Sequence, residues 1–525
     1  MTEAAYHVET FTPEERARLA AYVTDLDAPV FALTGLPQVT CAALFARYSR
    51  SKKSVRRLLL DEFLDPEAPP PAGEAAGRDR AADLFDRVLA EYGDDSVAQL
   101  AGVHVACEQV SQPLAKAIEW GRLGAYLEQS TRYIPYTDRR DGHYRYHRDP
   151  ELIASPHGGA YIAAMDGLFD AYCALLEPLR EHLASTLPDE DDPAARRRAV
   201  RALSLDLMRG LLPAGTVSNV GVFASPQTFE QMLLRLRAHP LPEAREYATR
   251  LETQLQRVIP EFLTRVPRPD RGGAWVTYLR ETADNVSHDA EALLPEREWG
   301  PAGVTLVDWD RDGEDRILAA TIFAETHVSA ERALAAVRPL SEEQRRELFD
   351  TAVGERLNRR HRPGRGFEHC QYTFEVVSDY GAFRDLQRHR MLTIQWQELT
   401  TALGYDVPEQ IADAGLASQW RDAVAAAEST HRAVARDLPQ QAQYLVTLAH
   451  RMRYVIKLNA REAMHMIELR TSPQGHPSYR RICQEMHRLI DEVAGHHNVA
   501  RAMRFVNADD VHLPRYAAEA AHTGR

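Results

Sequence analysis

Three adjacent cations, Arg388, His389 and Arg390, are the densest chemical feature of the sequence. A guanidinium presents a planar fork of donors suited to phosphate, and a histidine adds a donor whose charge responds near neutral pH. A dinucleotide pyrophosphate would suit such a cluster, and a solvated basic helix end favoured by the helix dipole is the plainer alternative. GFEH, from Gly366 to His369, precedes the cluster; Asn459-Ala460-Arg461 follows it, with Arg453 before and Arg470 after that segment. A second grouping, Glu128-Gln129-Ser130-Thr131-Arg132-Tyr133, sets an arginine beside a hydroxyl and a carboxylate. Arg132 can fork onto a phosphate, Ser130 can donate to it, and Glu128 can accept from a ribose hydroxyl or orient an arginine. A surface Glu-Arg pair beside a core tyrosine is the alternative there.

Other chemistries find no comparable grouping. His143 and His147 alone have HxxxH spacing, inside DRRDGHYRYHRDP, where Asp-Gly and Asp-Pro argue for a loop or short strand. Metal binding needs several converging ligands, so no metal site is expected. The five cysteines are scattered and never in CxxC spacing, which indicates neither a disulfide framework nor a zinc site. The chain has no HExxH, GxGxxG or GxxxxGK[ST] string, so zincin, Rossmann and P-loop sites do not compete.

The arrangement resembles the flavin-dependent thymidylate synthase family, whose units carry an FEH-type segment, then RHRxxSxNExSxRY, then an NAR segment flanked by arginines. The resemblance implies FAD held by Arg388, His389 and Arg390 with Glu368, Asn459, Arg461 and His476. Ser49, in FARYSR, resembles a family serine near the flavin, although a helix cap or turn explains a lone serine equally well. By the same resemblance Arg453 would meet a nucleotide phosphate, and Arg470 would act catalytically against the uracil, where a cation favours ionised N3 and makes C5 nucleophilic. NADPH and methylenetetrahydrofolate would be cosubstrates, and dUMP would become dTMP.

The two halves depart from the family in opposite ways. After RHR the chain supplies Thr393, Gln395, Trp396, Glu398, Thr400 and Thr401 where the pattern has Ser, Asn, Glu, Ser, Arg and Tyr. In the first half Trp120 and Gly121 stand at the first two RHR positions, leaving Arg122, while the string from Glu128 to Tyr133 matches ExSxRY. Near Gly215 to Ser225 no cation stands where the second half has Arg453 and NAR, and Arg237 alone echoes Arg470. Family members are tetramers with sites between subunits. The resemblance therefore implies a homodimer forming a pseudo-tetramer, with two composite sites made where unlike halves meet.

These residues need elements to position them. His369 to Val377 alternates apolar and polar residues, the period of a half-buried strand, and leads into SDYGAFRDLQRHR, a plausible helix ending in the three cations. EQMLLRLRAHPLPEAREYATRLETQLQRVI and ASQWRDAVAAAESTHRAVARDL carry apolar residues at helical spacing. AALFARYSRSKKS, from Ala42, resembles AATIFAETHVSAE, from Ala319, and the segments beginning at Trp120 and Arg388 form a second related pair, which predicts two divergent copies of one unit. Ser287 to Asp315 mixes acids, Pro and Gly without sustained periodicity, so the boundary is placed there, giving units 1–298 and 299–525. Asp61 to Arg80, rich in Pro, Ala and Gly, reads as a solvated loop or insertion. The expected fold is α+β, two tandem units each helix-rich around a small antiparallel sheet.

At 525 residues the chain exceeds one hydrophobic core, and two halves fit that length. A net charge of -13 offers no field for nucleic acid. No apolar run of membrane-spanning length and no signal-peptide core stands out, so a cytoplasmic location without membrane association is expected. Three functions fit these residues: reductive methylation of a uracil nucleotide, a flavoenzyme of the same fold with another substrate if Trp396 reshapes the pocket, or a non-catalytic FAD- or nucleotide-binding paralogue.

Overall fold

The computed structural model describes residues 9–64, 81, 97–186, 193–294, 296 and 298–509. Along the chain come α1 (Gln38–Tyr48), β1 (Val103–Val110), β2 (Gly124–Glu128), α2 (Gly158–Thr186), α3 (Pro193–Met208) and β3 (Ser218–Ala224). Then follow α4 (Pro226–Ala238), α5 (Pro242–Leu255), α6 (Ala274–Leu293), β4 (Gly303–Trp309), β5 (Gln371–Asp379), α7 (Tyr380–Leu386) and β6 (Leu392–Trp396). Further along come α8 (Ala417–Val434), β7 (Arg451–Asn459), α9 (Ala460–Arg470) and α10 (Pro477–Glu492). This is an α+β protein.

The chain packs into two compact units, each assembled from separated stretches: 1–108, 117–128 and 219–295 form the first, and 109–116, 129–218 and 296–525 the second. The first unit is built on a three-stranded sheet of order β1, β3, β2, in which Leu127 pairs with Gly221 and Ala125 with Phe223. Helices α4 and α5 each begin with proline at the first turn, where its missing N–H costs nothing, and the His239-Pro240-Leu241 break between them ends α4. Of the Asp61 to Arg80 stretch, residues 61–64 depart from the expected loop: Phe63 and Leu64 are buried as the chain ends a helical turn over Leu59–Phe63, and the remainder lies outside the described residues.

In the second unit a four-stranded antiparallel sheet runs β4, β5, β7, β6. Tyr372, Phe374 and Val376 of β5, with Tyr454, Ile456 and Leu458 of β7, are buried on one face, as the period-two pattern predicts. The other face carries Thr373, Glu375, Arg451, Arg453 and Lys457. Helix α10 covers the apolar side with Tyr479, Ile482, Cys483, Met486, Leu489 and Ile490, spaced at three and four. One helix among the described residues, α2, is long and apolar enough to cross a membrane, which the sequence reading did not expect of any stretch. Its Tyr161, Met165, Leu168, Phe169, Tyr172 and Leu179 are buried within the second unit, where it packs on α3 and α8. Core packing accounts for its composition. The segment around His143, expected as a loop or short strand, is a tight hairpin pairing Arg139–Arg140 with His143–Tyr144, turned by Asp141 and Gly142 at positive φ.

Two local expectations are corrected. Helix α7 stops at Leu386 with Gln387 as its cap, so Arg388, His389 and Arg390 lie beyond it, in the turn that reverses the chain into β6. The stretch from Ser287 is not irregular from its start: α6 continues to Leu293, and β4 begins at Gly303.

Candidate functional site: an arginine nest around two buried aspartates

The second unit gathers charged groups from α3, the segment after β2, α7, α9 and the start of α10. Arg132 forks onto Asp206, Nε to Oδ1 at 2.8 Å and Nη2 to Oδ2 at 2.7 Å. Its Nη1 donates to the Tyr479 hydroxyl at 2.9 Å and its Nη2 to the Gln474 carbonyl at 3.0 Å. Ser130 turns the backbone into position by accepting from the Arg132 N–H at 3.2 Å. Asp206 sits in an apolar run, Leu203 to Leu212, which buries it almost completely.

Asp385 is the second centre. Arg209 Nη1 approaches its Oδ2 at 3.3 Å, Arg388 pairs with its Oδ1, and Arg470 Nη1 lies 3.7 Å from the same oxygen while Arg470 Nη2 donates to the Asp385 carbonyl at 2.5 Å. Burial pushes this carboxyl up, but Arg388, Arg209, Arg470 and Arg132 outweigh it and hold the group well below the usual carboxylate range. Tyr479 joins the two centres, lying under Arg132 at 5.8 Å and Arg470 at 5.4 Å from its ring centroid. Four guanidiniums therefore face Asp206 and Asp385, and the buried carboxyl of Asp379 also lies within the field of Arg209. Arg209 Nη2 is buried with no hydrogen-bond partner among the described residues, and Gly381 leaves the space it occupies, since a Cβ there would stand 3.1 Å from that nitrogen.

His389 extends the nest. Arg470 Nε donates to its Nε2 at 2.9 Å, so Nδ1 carries the proton and donates to Glu462 Oε1 at 2.9 Å. Burial, with the Arg470 charge, brings His389 down to about 4, and Glu462, hydrogen-bonded to His389 and His465, is held down to about 2 against its own burial. His389, Glu462 and His465 have ligand atoms within 4.8 Å of one another. A cation there would have to displace the Nδ1 proton beside the Arg470 guanidinium, so the geometry supports a hydrogen-bonded chain from Arg470 to Glu462. His476 caps α10, accepting from the Ser478 N–H at 3.2 Å, with Nε2 3.3 Å from the Asp206 carbonyl. Burial and the nearby Arg209 push it well below its ordinary value.

Glu368 accepts from Arg365 at 3.0 Å and from Arg461 at 3.5 Å, and Arg461 also donates to the Pro363 carbonyl at 2.9 Å. Asn459 caps α9, accepting from the Glu462 N–H at 2.9 Å. Strand register sets these together: Gln371 pairs with Asn459 and Leu392 with Leu458, so the segment after Glu368, the start of α9 and exposed Arg390 share one end of the sheet. An open cavity of about 490 Å³ there is lined by Arg365, Glu368 and His369. Arg453 is not brought into the nest. It lies on the opposite sheet face, 3.7 Å from Glu375 and with a buried Nε that donates to no partner among the described residues. Ser49 and Glu128 belong to the first unit; Ser49 caps α1 and donates to the Ala46 carbonyl at 2.8 Å, and Glu128 ends β2, buried. Trp120, at the lost RHR position, lies 4.6 Å from the Arg235 guanidinium in that unit. Trp396 packs its indole against Phe383, centroids 5.4 Å apart.

Sequence reasoning missed Asp206, Arg209, Glu462 and Tyr479. The available signal was an opposite-charge pair three residues apart inside LSLDLMRGLL, since buried charges persist only where other groups hold them.

Residues 37–261 and 305–495 match the family model described as thymidylate synthase complementing protein, Thy1. The chain belongs to this family. A UPF0159 protein of Chlamydia muridarum is 37% identical over 520 residues, 97% of this chain and 98% of the relative. One from Chlamydia pneumoniae is 36% identical over 97% of each chain, and one from Thermoplasma acidophilum is 31% identical over 91% of this chain and 97% of its own. The family model matches two segments in tandem, as the internal resemblance predicted, so the chain is a thymidylate synthase-like protein with a duplicated unit.

Proposed function

We propose that this thymidylate synthase-like protein reductively methylates a uracil nucleotide, dUMP to dTMP, using FAD, NADPH and methylenetetrahydrofolate, at a site centred on the arginine nest. The observation that carries this reading is the unpartnered, buried Arg209 Nη2 in a nest where four guanidiniums outnumber the three buried carboxyls Asp206, Asp379 and Asp385. A nucleotide phosphate, a dianion, supplies the missing negative charge and acceptor oxygens. Arg132 and Arg209 would hold it. Arg470, already aimed at the His389 ring, would stand against the pyrimidine and favour the ionised N3 that makes C5 nucleophilic.

The donor set at the sheet end fits a flavin dinucleotide. Arg390 is exposed, Arg388 is 37% exposed, and Arg461 with Glu368 offers a cation and a carboxylate beside an open cavity. FAD bound there would supply the redox chemistry of the methyl transfer. The chain's own residues bind and orient. Their contribution is geometric and electrostatic, which agrees with buried, non-nucleophilic cysteines: burial raises Cys370 and Cys483 to about 12.

In this reading Arg132 and Arg470 serve one site within one chain. The experiment is reconstitution of the full chain with FAD, titration with dUMP while following the flavin spectrum, and tritium release from 5-labelled dUMP. Flavin uptake, a dUMP-dependent spectral change lost in Arg132→Ala, and tritium release are expected. A colourless protein that cannot be reconstituted overturns the reading, and a flavoprotein blind to dUMP overturns the substrate. Mixing Arg132→Ala with Arg390→Ala protein should not restore activity.

A further inference from the structure

Helix α6 lies between the two family-matched segments, outside both. It runs for 20 residues and buries none of them. Its first turns rest on α4, with Arg280 donating to the Arg237 carbonyl, and leave Val276 and Leu279 half-buried; from Glu281 to Leu294 every residue is exposed. Yet its apolar residues are not scattered. Val276, Leu279, Ala283, Val286, Ala290 and Leu293 follow one another at alternating spacings of three and four, a heptad seam sustained over the whole helix. Val286 is 62% exposed and Leu293 78% exposed, with Trp275 and Leu294 beside them at 50% and 76%. A seam of this kind on a solvated helix is the pattern of a coiled-coil partner, because a polar helix face would serve solvent better.

We propose that α6 is an interaction helix that pairs antiparallel with α6 of a second copy of this chain. Self-complementarity identifies the occupant. Turned about a two-fold axis between Asp284 and Asn285, the seam meets itself small against large at its centre, where Ala283 opposes Val286 of the second copy and Ala290 opposes Leu279, and apolar against apolar at its ends, where Val276 opposes Leu293. Charge agrees with this register. The flanking positions then set Arg280 beside Ser287 and Leu294 of the second copy, and Asp289 beside Thr282 and Trp275, so no like charges face each other. Sliding the helices by one heptad toward their C-termini would bring Asp289 against Asp289. A helix of this length spans about 30 Å. Each Trp275 is half exposed, so two copies would remove on the order of 150–250 Å² from water, and with the twelve seam side chains and Leu294 the contact comes to roughly the 1,000 Å² that a specific interface must clear.

Light scattering of the full chain at micromolar concentration, with and without FAD, tests the mass; Val286→Glu/Leu293→Glu, at two exposed positions, tests the surface. A dimeric wild type whose dissociation constant rises at least about 100-fold in the double variant, with unchanged far-UV circular dichroism, supports the pairing. Disulfide trapping tests the direction. Val276→Cys/Leu293→Cys should give a covalent dimer on mild oxidation, and Leu293→Cys alone should not, because antiparallel helices hold the two copies of residue 293 far apart. A monomeric wild type, a dimer indifferent to the glutamates, or trapping by Leu293→Cys alone overturns the proposal. Strong hydrogen-exchange protection of α6 in the monomeric double variant also overturns it, since the helix would then be covered within its own chain.

Discussion

Arg132 and Asp206 form a bidentate pair with side chains 11% and 1% exposed. Removing one member of such a pair leaves a buried charge without its partner, whereas replacing both with apolar groups can be nearly neutral. Asp206→Ala should therefore lower unfolding free energy by roughly 3–5 kcal/mol in urea titrations, and Arg132→Met with Asp206→Leu should recover much of that loss. Recovery without any return of dUMP binding would separate the pair's structural part from its ligand part. Arg132→Lys should not substitute, since one ammonium cannot reproduce a fork that serves Asp206, Tyr479 and Gln474 together. At this scale the sequence was legible where charges cluster in the chain, as in Arg388-His389-Arg390 and around Arg132. It was silent where clustering is made by folding. Asp206 and Arg209 lie three residues apart yet serve different partners, Arg132 and Asp385, and no local pattern announces that.

Elements explain which residues the pattern could place. Strand β5 was readable from period two because one face is buried and the other is not. The cations after it were placed in a helix because basic residues suit a helix end; their actual position past the α7 cap follows from the need to reverse the chain into β6. Asn459 shows how an element can claim a site residue. Its side chain accepts from Glu462 N–H and caps α9, which carries Arg461, Glu462 and Arg470. Asn459→Ala should cost about 1 kcal/mol, and Asn459→Asp should keep that stability, because aspartate caps equally well. If Asn459 also binds flavin, the aspartate variant should retain its melting behaviour and lose affinity for FAD in fluorescence titration. Unchanged affinity would leave the residue as a cap alone.

For the whole molecule, the separation into units built from interleaved stretches was not legible, because it depends on which surfaces meet and not on any composition shift. What that packing buries sets the response to acid. His389 and His431, both in the second unit, are brought down to about 4 by burial, His389 further by Arg470 and His431 further by His450 and Arg432. An unfolded histidine titrates at 6.5, so between pH 6.5 and 4 the unfolded chain binds protons that the folded chain refuses, and stability falls as pH falls. Each histidine can cost roughly 3 kcal/mol over that window. Glu462 and Asp385 act lower: their folded values are depressed, so their contribution is complete above the ordinary carboxylate range and is lost only as pH drops toward about 2 for Glu462 and further for Asp385. The two effects separate in pH, which makes the histidine part measurable. Urea midpoints at pH 7, 5.5 and 4 should fall steadily, and His431→Gln should flatten the fall relative to its own value at pH 7. Proton uptake on unfolding, measured by calorimetry in buffers of different ionisation enthalpy, should be largest near pH 5 and smaller by about one proton in the variant. A stability profile flat from pH 7 to 4.5, or one unaffected by His431→Gln, would mean that these rings titrate as they do in the unfolded chain.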